Sequence, residues 1–238
     1  MRDHISFFRE FRRQFHTTGA VAPSSRYLGR ALSSQLADGA APRRILEVGP
    51  GTGAVTRQII RRLRPDDRFD LVELNEAFVR HLEGRFAGDR EFVAVRSQCQ
   101  VHHCPLEELE ADGQYDCIVS GLPLNNFAPD VVQSIFDRLL ELLAPGGTLS
   151  YFEYMFVRRM RRMTSGRAER QRLAGLDAII GPVLTEMRFR RDWIFLNMPP
   201  AWVQHLRLPE GVAPVPGAAA ETGTAQLHRT DGVSADGV

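Results

Sequence analysis

The sequence has no lysine, little cysteine and no long apolar run, and each absence excludes a class of protein. Its 30 basic residues are all arginine and face 29 acidic ones, so the net charge of +1 gives no global attraction to nucleic acid. The three cysteines, Cys99, Cys104 and Cys117, are odd in number and lack metal-ligand spacing, which argues against a disulfide framework and predicts no metal site. No apolar segment approaches the ~20 residues of a membrane span. The N-terminus lacks the apolar region of a signal peptide, which predicts a cytoplasmic protein.

Apolar residues make up 43% of the chain and charged residues 25%, ordinary values for a globular domain. From residue 43 onward, apolar segments of strand length alternate with helical patterns, which predicts an α/β, Rossmann-like parallel sheet with helices on both faces. No helix separates the last two strands, so we expect an antiparallel pair at one edge of a seven-stranded sheet. The predicted strands are Arg44–Val48, Arg68–Leu74, Cys99–His103, Tyr115–Ser120, Thr148–Phe156, Met187–Met198 and Ala201–Leu208.

The two ends of the chain differ from this central pattern. Residues 1–17 predict an amphipathic helix with phenylalanines on one face and arginines beside them. A second helix is expected to begin near Pro23–Ser25, and residues 209–238 have the composition of a mobile tail. The predicted buried stripe of the second helix comprises Tyr27, Leu28, Ala31, Leu32 and Leu36.

The sharpest motif is a glycine-rich turn between the first strand and its helix. It has the sequence Glu-Val-Gly-Pro-Gly-Thr-Gly over residues 47–53, and Glu73 ends the next strand about 20 residues later, where ribose hydroxyls are often bound. Glycines let the backbone approach a ligand closely. A dinucleotide site expects a third glycine further along, where this chain has Val55 and Thr56, so NAD and FAD fit poorly.

This motif, together with Leu-Ala-Pro-Gly-Gly at residues 143–147, resembles class I methyltransferases over about residues 43–208. The resemblance implies a Rossmann-like methyltransferase fold, S-adenosylmethionine as cofactor and S-adenosylhomocysteine as product. It also implies that Glu73 holds the ribose and that a backbone N–H, that of Leu106, replaces the acid usually found near adenine. The cofactor-binding residues it implies are Glu47, Gly49, Pro50, Gly51, Thr52, Gly53, Glu73, Leu74, Leu106 and Ser120.

Three further segments bear on the methyl acceptor. Residues 18–25, Thr-Gly-Ala-Val-Ala-Pro-Ser-Ser, resemble bacterial phospholipid N-methyltransferases, which convert phosphatidylethanolamine to phosphatidylcholine, and residues 120–124 and 197–203 do so too. The segment Ser120–Leu124 also lacks the aromatic residue that stacks on a base in amino-methylating enzymes of nucleic acids. The resemblance therefore implies a phosphatidylethanolamine acceptor. An ornithine lipid, an rRNA adenine and a nonenzymatic cofactor-binding module stay open as alternatives.

A lipid acceptor requires contact with a membrane, and the helix over residues 1–17 suits an anionic surface, although it also fits a lid over the protein's own core. We therefore expect a cytoplasmic protein at the inner face of the cell membrane, with phospholipid and not nucleic acid as its partner. The methyltransferase domain is assigned to residues 18–208. Candidates for orienting the amine near the pocket mouth are Tyr27, Asn125 and Tyr154, with Glu153 and His103 as further candidates.

Overall fold

The computed structural model describes residues 24–37, 42–155 and 166–211. Seven strands form one sheet in the order β3–β2–β1–β4–β5–β7–β6. The pairs among β1 to β5 are parallel, and β7 runs antiparallel to both β5 and β6, which confirms the predicted architecture. The strands are β1 (Arg44–Val48), β2 (Arg68–Val72), β3 (Cys99–His102), β4 (Tyr115–Ser120), β5 (Leu143–Tyr154), β6 (Arg188–Ile194) and β7 (Ala201–Arg207).

Helices cover both faces of this sheet, as the alternating pattern predicts. One buried cluster joins the sheet to the last two described helices, and a second joins it to the first four. Such a sheet is buried on both faces, which is why β1 and β4 are nearly continuous apolar runs. The helices are α1 (Arg26–Leu32), α2 (Thr56–Ile60), α3 (Glu76–Gly88), α4 (Arg90–Val93), α5 (Pro129–Leu142) and α6 (Arg167–Met187).

Local chemistry fixes several helix starts. The Ser25 hydroxyl accepts the Leu28 N–H at 3.2 Å and caps α1, as the predicted start implies. Asn75 caps α3 by accepting the Ala77 N–H at 2.9 Å. Pro129 occupies the first turn of α5, where its missing N–H costs nothing.

Several strand ends differ by one or two residues from the predicted ones, as in β2, which ends at Val72 and not at Leu74. Three further details differ from the sequence-based predictions. Tyr27 was expected in the buried stripe of α1 but is exposed, and Ala31 is only half-buried, while Leu28, Leu32 and Leu36 are buried. Strand β5 begins before the Pro-Gly-Gly turn expected to precede it.

The third difference is that β6 ends at Ile194, so residues 195–200 form a loop. Pro199 and Pro200 offer no N–H to a ladder, and the Asn197 side chain turns inward, where it accepts the Ser25 N–H at 3.0 Å.

The predicted helix over residues 1–17 lies outside the described residues, as does nearly all of the tail at residues 209–238. Among the described residues, no helix combines the length and the apolar content needed to cross a bilayer.

Candidate functional site

A cavity opens at the carboxyl ends of β1, β2 and β4. The chain builds β1, β2 and β3 in one direction across the sheet and then crosses to β4 on the other side of β1. Open α/β sheets bind ligands in the crevice at such a reversal. The space amounts to about 830 Å³, including the part open to solvent. Its lining residues are Val48, Gly49, Gly51, Val72, Glu73, Leu74, Asn75, Phe78, Cys104, Pro105, Leu106, Gly121, Leu122, Pro123 and Ile135.

The glycine turn forms one wall of this cavity. Gly51 has a φ of +55°, and a Cβ built there would meet no atom within 4 Å, so its missing side chain leaves open space beside the cavity. Gly121, after β4, is needed for the opposite reason, because a Cβ there would lie 2.6 Å from the Gly49 carbonyl oxygen. Gly51 thus keeps space beside the cavity open, and Gly121 lets two backbone segments of its wall approach each other closely.

Glu73 is the acidic group of the cavity. Its carboxylate accepts the N–H of Gly51 at 3.0 Å and that of Asn75 at 2.8 Å, one on each oxygen. Burial raises the pKa of Glu73, while these backbone donors oppose the rise. Each carboxylate oxygen keeps a further lone pair, so the group can accept hydroxyls of a ligand while it fixes the turn.

Glu47 lies behind the turn and not in the cavity lining. Its carboxyl accepts the Thr56 hydroxyl at 2.7 Å on Oε2, and Oε1 is buried with no hydrogen-bond partner among the described residues. Burial raises the pKa of Glu47 to about 8, with a smaller contribution from the nearby Glu73. The group is therefore largely protonated at neutral pH, and it supports the turn from beneath as a neutral carboxylic acid.

Two arginines that the sequence did not single out hold the backbone around the cavity. The Arg85 guanidinium donates to the carbonyls of Thr52 and Gly53 at 2.9 and 3.0 Å. Arg172, on α6, donates to the Phe127 carbonyl at 2.7 Å and to the Asn125 carbonyl at 3.1 Å. We call these two sets of arginine hydrogen bonds clamps. Both join residues more than 30 positions apart, so no local sequence pattern indicates them.

The predicted cofactor-binding residues divide into two groups. The cavity brings together Gly49, Gly51, Glu73, Leu74 and Leu106. The others form the framework just outside the lining and comprise Glu47, Pro50, Thr52, Gly53 and Ser120.

The candidate amine-orienting residues lie outside the lining. Tyr27 is exposed at the start of α1, and its hydroxyl accepts from Arg26 at 2.9 Å. Asn125 is buried in the turn after β4, and Tyr154 ends β5 with its ring 5.1 Å from that of Phe152. A role for any of the three in methyl transfer stays a prediction.

The sequence analysis missed several lining residues. Asn75 and Phe78 follow Glu73 at the start of α3, where their closeness to the acid was an available signal. Ile135 is one of several apolar residues on α5, and nothing in the sequence separates it from the others that face the core.

Comparisons with known proteins agree on one family. Residues 45–147 match the methyltransferase domain family. The chain is 31% identical over 155 residues to an ornithine lipid N-methyltransferase of Singulisphaera acidiphila, an alignment that covers 65% of this chain and 80% of that protein.

Solved structures share the fold. An O-methyltransferase from Bacillus cereus in complex with S-adenosylhomocysteine has a TM-score of 0.56 at 16% identity and covers 85% of this chain and 90% of that one. The N-methyltransferase NodS from Bradyrhizobium japonicum, also with S-adenosylhomocysteine, has a TM-score of 0.53 at 17% identity, covering 78% and 86%.

Proposed function

Because this chain belongs to the class I S-adenosylmethionine-dependent methyltransferases, we propose that it methylates the amine of a membrane lipid headgroup. The observation that carries the proposal is its similarity, over 80% of that protein's length, to an enzyme named for N-methylation of ornithine lipid. The resemblance of residues 18–25 to phospholipid N-methyltransferases supports the same class of acceptor. Phosphatidylethanolamine and ornithine lipid both present a primary amine and are the two acceptors we consider.

The cavity fits S-adenosylmethionine in its chemistry. Gly51 leaves space where a side chain would intrude, Glu73 offers carboxylate oxygens to ribose hydroxyls, and Leu106 with its neighbours forms an apolar wall suited to adenine. When bound, the cofactor supplies a methyl group activated by a positively charged sulfur. The residues of this chain then bind the cofactor, orient the acceptor amine toward it and exclude water. Positioning of this kind supplies much of the acceleration of a displacement reaction.

The segment after β4 favours a lipid amine over a nucleobase. Leu122 and Pro123 line the cavity there, and neither offers an aromatic ring on which a flipped base could stack. The nearest aromatic side chain in that segment, Phe127, is fully buried in the core. We propose that Asn125 and Tyr154 help to orient the amine and that Tyr27 lies where the headgroup enters.

The acceptor is tested with the full chain, labelled S-adenosylmethionine and three separate acceptors: vesicles with phosphatidylethanolamine, vesicles with ornithine lipid, and ribosomal RNA. We expect label in at least one lipid and none in RNA, and the labelled lipid identifies the headgroup. Label in RNA alone would overturn the proposal.

A pair of variants tests the cofactor site independently. Glu73→Ala removes a charged acceptor and should weaken S-adenosylmethionine binding by about 10- to 100-fold in calorimetry. The control is Glu76→Ala, three residues further on, whose exposed carboxylate pairs with Arg80 and should leave binding unchanged. Equal affinities in the two variants would remove Glu73 from the site.

A further inference from the structure

The end of β6 and the loop that follows it carry a cluster of exposed apolar side chains that the proposed reaction does not use. Trp193 is 55% exposed, Phe195 64%, Leu196 65% and Met198 83%, and we call these four residues the apolar tip. The rings of Trp193 and Phe195 stack with centroids 6.1 Å apart, so the two form one continuous surface. Scattered apolar residues are common on protein surfaces, but a contiguous group of this kind marks an interaction site.

The fold holds the apolar tip outward. Asn197, in the middle of the loop, is buried, and its amide binds Ser25 N–H at 3.0 Å and the Pro199 carbonyl at 2.8 Å. Because this polar residue faces inward, its neighbours Leu196 and Met198 face solvent. Trp193 is supported from behind by an edge contact with Trp202, at 5.6 Å between centroids. The exposure is thus built into the loop by specific contacts.

The charge beside the apolar tip is mainly positive. Arg190 and Arg191 are exposed on β6, and Arg26 is exposed at the start of α1, which packs against this end of the sheet. The acid among them, Asp192, is paired with Arg190 at 2.8 Å. Tryptophan and phenylalanine next to arginine form the combination that binds the interface of anionic bilayers, where rings enter the headgroup level and arginines meet phosphates.

The apolar tip lies on the same edge of the sheet as the cofactor cavity. Strand β6 is antiparallel to β7, which is antiparallel to β5, so β6 ends at the edge where β1, β2 and β4 end. Three strand spacings separate β4 from β6, or roughly 14 Å. The start of α1 lies beside the apolar tip, because the Ser25 N–H donates to the Asn197 side chain at 3.0 Å.

We infer that the apolar tip and its flanking arginines form a docking surface for an anionic lipid bilayer. This rests on the proposed function, since docking here places headgroups at the edge that holds the cavity. The charge also disfavours a second copy of the chain as occupant. Two copies that met through this surface would bring their like-charged arginines together, which costs free energy.

The test compares the full chain with a Phe195→Ser, Leu196→Ser, Met198→Ser triple variant, which spares the packed Trp193. Co-sedimentation uses vesicles of phosphatidylcholine with about one third phosphatidylglycerol. We expect the triple variant to lose about tenfold or more in vesicle affinity. Val93→Ser, at a side chain 47% exposed on α4, is the control and should bind as the wild type does. Calorimetry with S-adenosylmethionine reports whether each variant is folded.

A second measurement separates direct docking from binding through residues 1–17. The chain has two tryptophans, so Trp202→Phe leaves Trp193 as the sole tryptophan, and brominated lipids in the vesicles should quench its fluorescence. Unquenched Trp193, or equal vesicle affinity of the triple variant and the wild type, would overturn the inference. The inference would also be overturned if light scattering showed the wild type to be a dimer and the triple variant to be a monomer.

Activity on a short-chain phosphatidylethanolamine, dissolved as monomers, and on a short-chain ornithine lipid distinguishes this inference from the proposed function. If docking fails but the function holds, the wild type and the triple variant methylate monomeric and vesicle lipid equally. If the function fails, neither form of either lipid is methylated, while vesicle binding and quenching still report on the apolar tip. The result expected is methylation of a monomeric lipid by both proteins and of its vesicle form chiefly by the wild type.

Discussion

Replacing Glu47 with glutamine is expected to change how the stability of the protein depends on pH. The carboxyl is fully buried, with its Oε2 accepting the Thr56 hydroxyl, and burial raises its pKa from 4.5 to about 8. In the unfolded chain the same group ionises near its ordinary pKa. Between these two values the folded state holds a proton that the unfolded state has released, so stability is greatest below the lower value and falls as the pH rises.

The size of this loss of stability follows from the difference between the folded and unfolded pKa values of Glu47. One pKa unit corresponds to about 1.4 kcal/mol, so the wild type should lose about 3 kcal/mol through this group between pH 5 and pH 8. Glutamine has nearly the same shape and can still accept the Thr56 hydroxyl, but it does not titrate. The Glu47→Gln variant should therefore lose about 3 kcal/mol less than the wild type over the same range.

Urea unfolding at pH 5, 6, 7 and 8 measures this difference for the two proteins side by side. The other titrating groups are shared, including the buried His205, whose pKa burial lowers, so their contributions cancel in the comparison. The pKa of Asp67 is also lowered, and its contribution is lost only at more acidic pH. Parallel stability curves for the wild type and the variant would refute the assignment of Glu47 as a buried neutral acid.

Two further substitutions test the walls of the cavity. Gly51→Ala should strain a backbone with φ +55° by about 1–2 kcal/mol. It should also lower S-adenosylmethionine affinity about tenfold or more in calorimetry, because its Cβ enters the space that we propose for the cofactor. The control Gly84→Ala, inside α3 with nothing within 4 Å, should instead raise stability by about 0.5–1 kcal/mol and bind S-adenosylmethionine normally. Arg172→Ala frees the turn after β4 and should lower kcat about 10- to 100-fold, whereas Arg170→Ala, at an exposed position on the same helix, should leave kcat unchanged. Equal cofactor affinity in both glycine variants, or equal kcat in both arginine variants, would contradict these assignments.

The parts of the fold that local patterns determine were predictable from the sequence. Strands β1 and β4 occupy the residues predicted for them because each is a short apolar run bounded by polar or glycine residues. The turn at residues 47–53 and the acid at Glu73 were found through their spacing, and the sheet places Gly51 and Glu73 in one hydrogen bond. The antiparallel end of the sheet followed from the absence of a helix between the last two strands.

The parts that depend on tertiary contacts were not predictable. Tyr27 fits the helical spacing of a buried stripe, yet it faces solvent beside Arg26 while Leu28 fills the core. The clamps of Arg85 and Arg172 join segments that only the folded sheet brings together. The predicted strand Met187–Met198 ended early because the inward turn of the Asn197 side chain depends on Ser25, 172 positions away in the sequence.

The direction of the strands places the cavity and the proposed lipid-docking surface at one edge of the molecule. Parallel strands end together, so the turns after β1, β2 and β4 gather Gly51, Glu73 and Gly121 at that edge. The hairpin after β6 reaches the same edge. Strand β7 is antiparallel to both β5 and β6, so β6 runs in the same direction as β5. A bilayer docked on that hairpin meets the cavity side of the sheet, and a headgroup amine then reaches the site while its acyl chains stay in the membrane. A base in folded RNA has no such requirement, because RNA has no acyl chains that the apolar tip could contact.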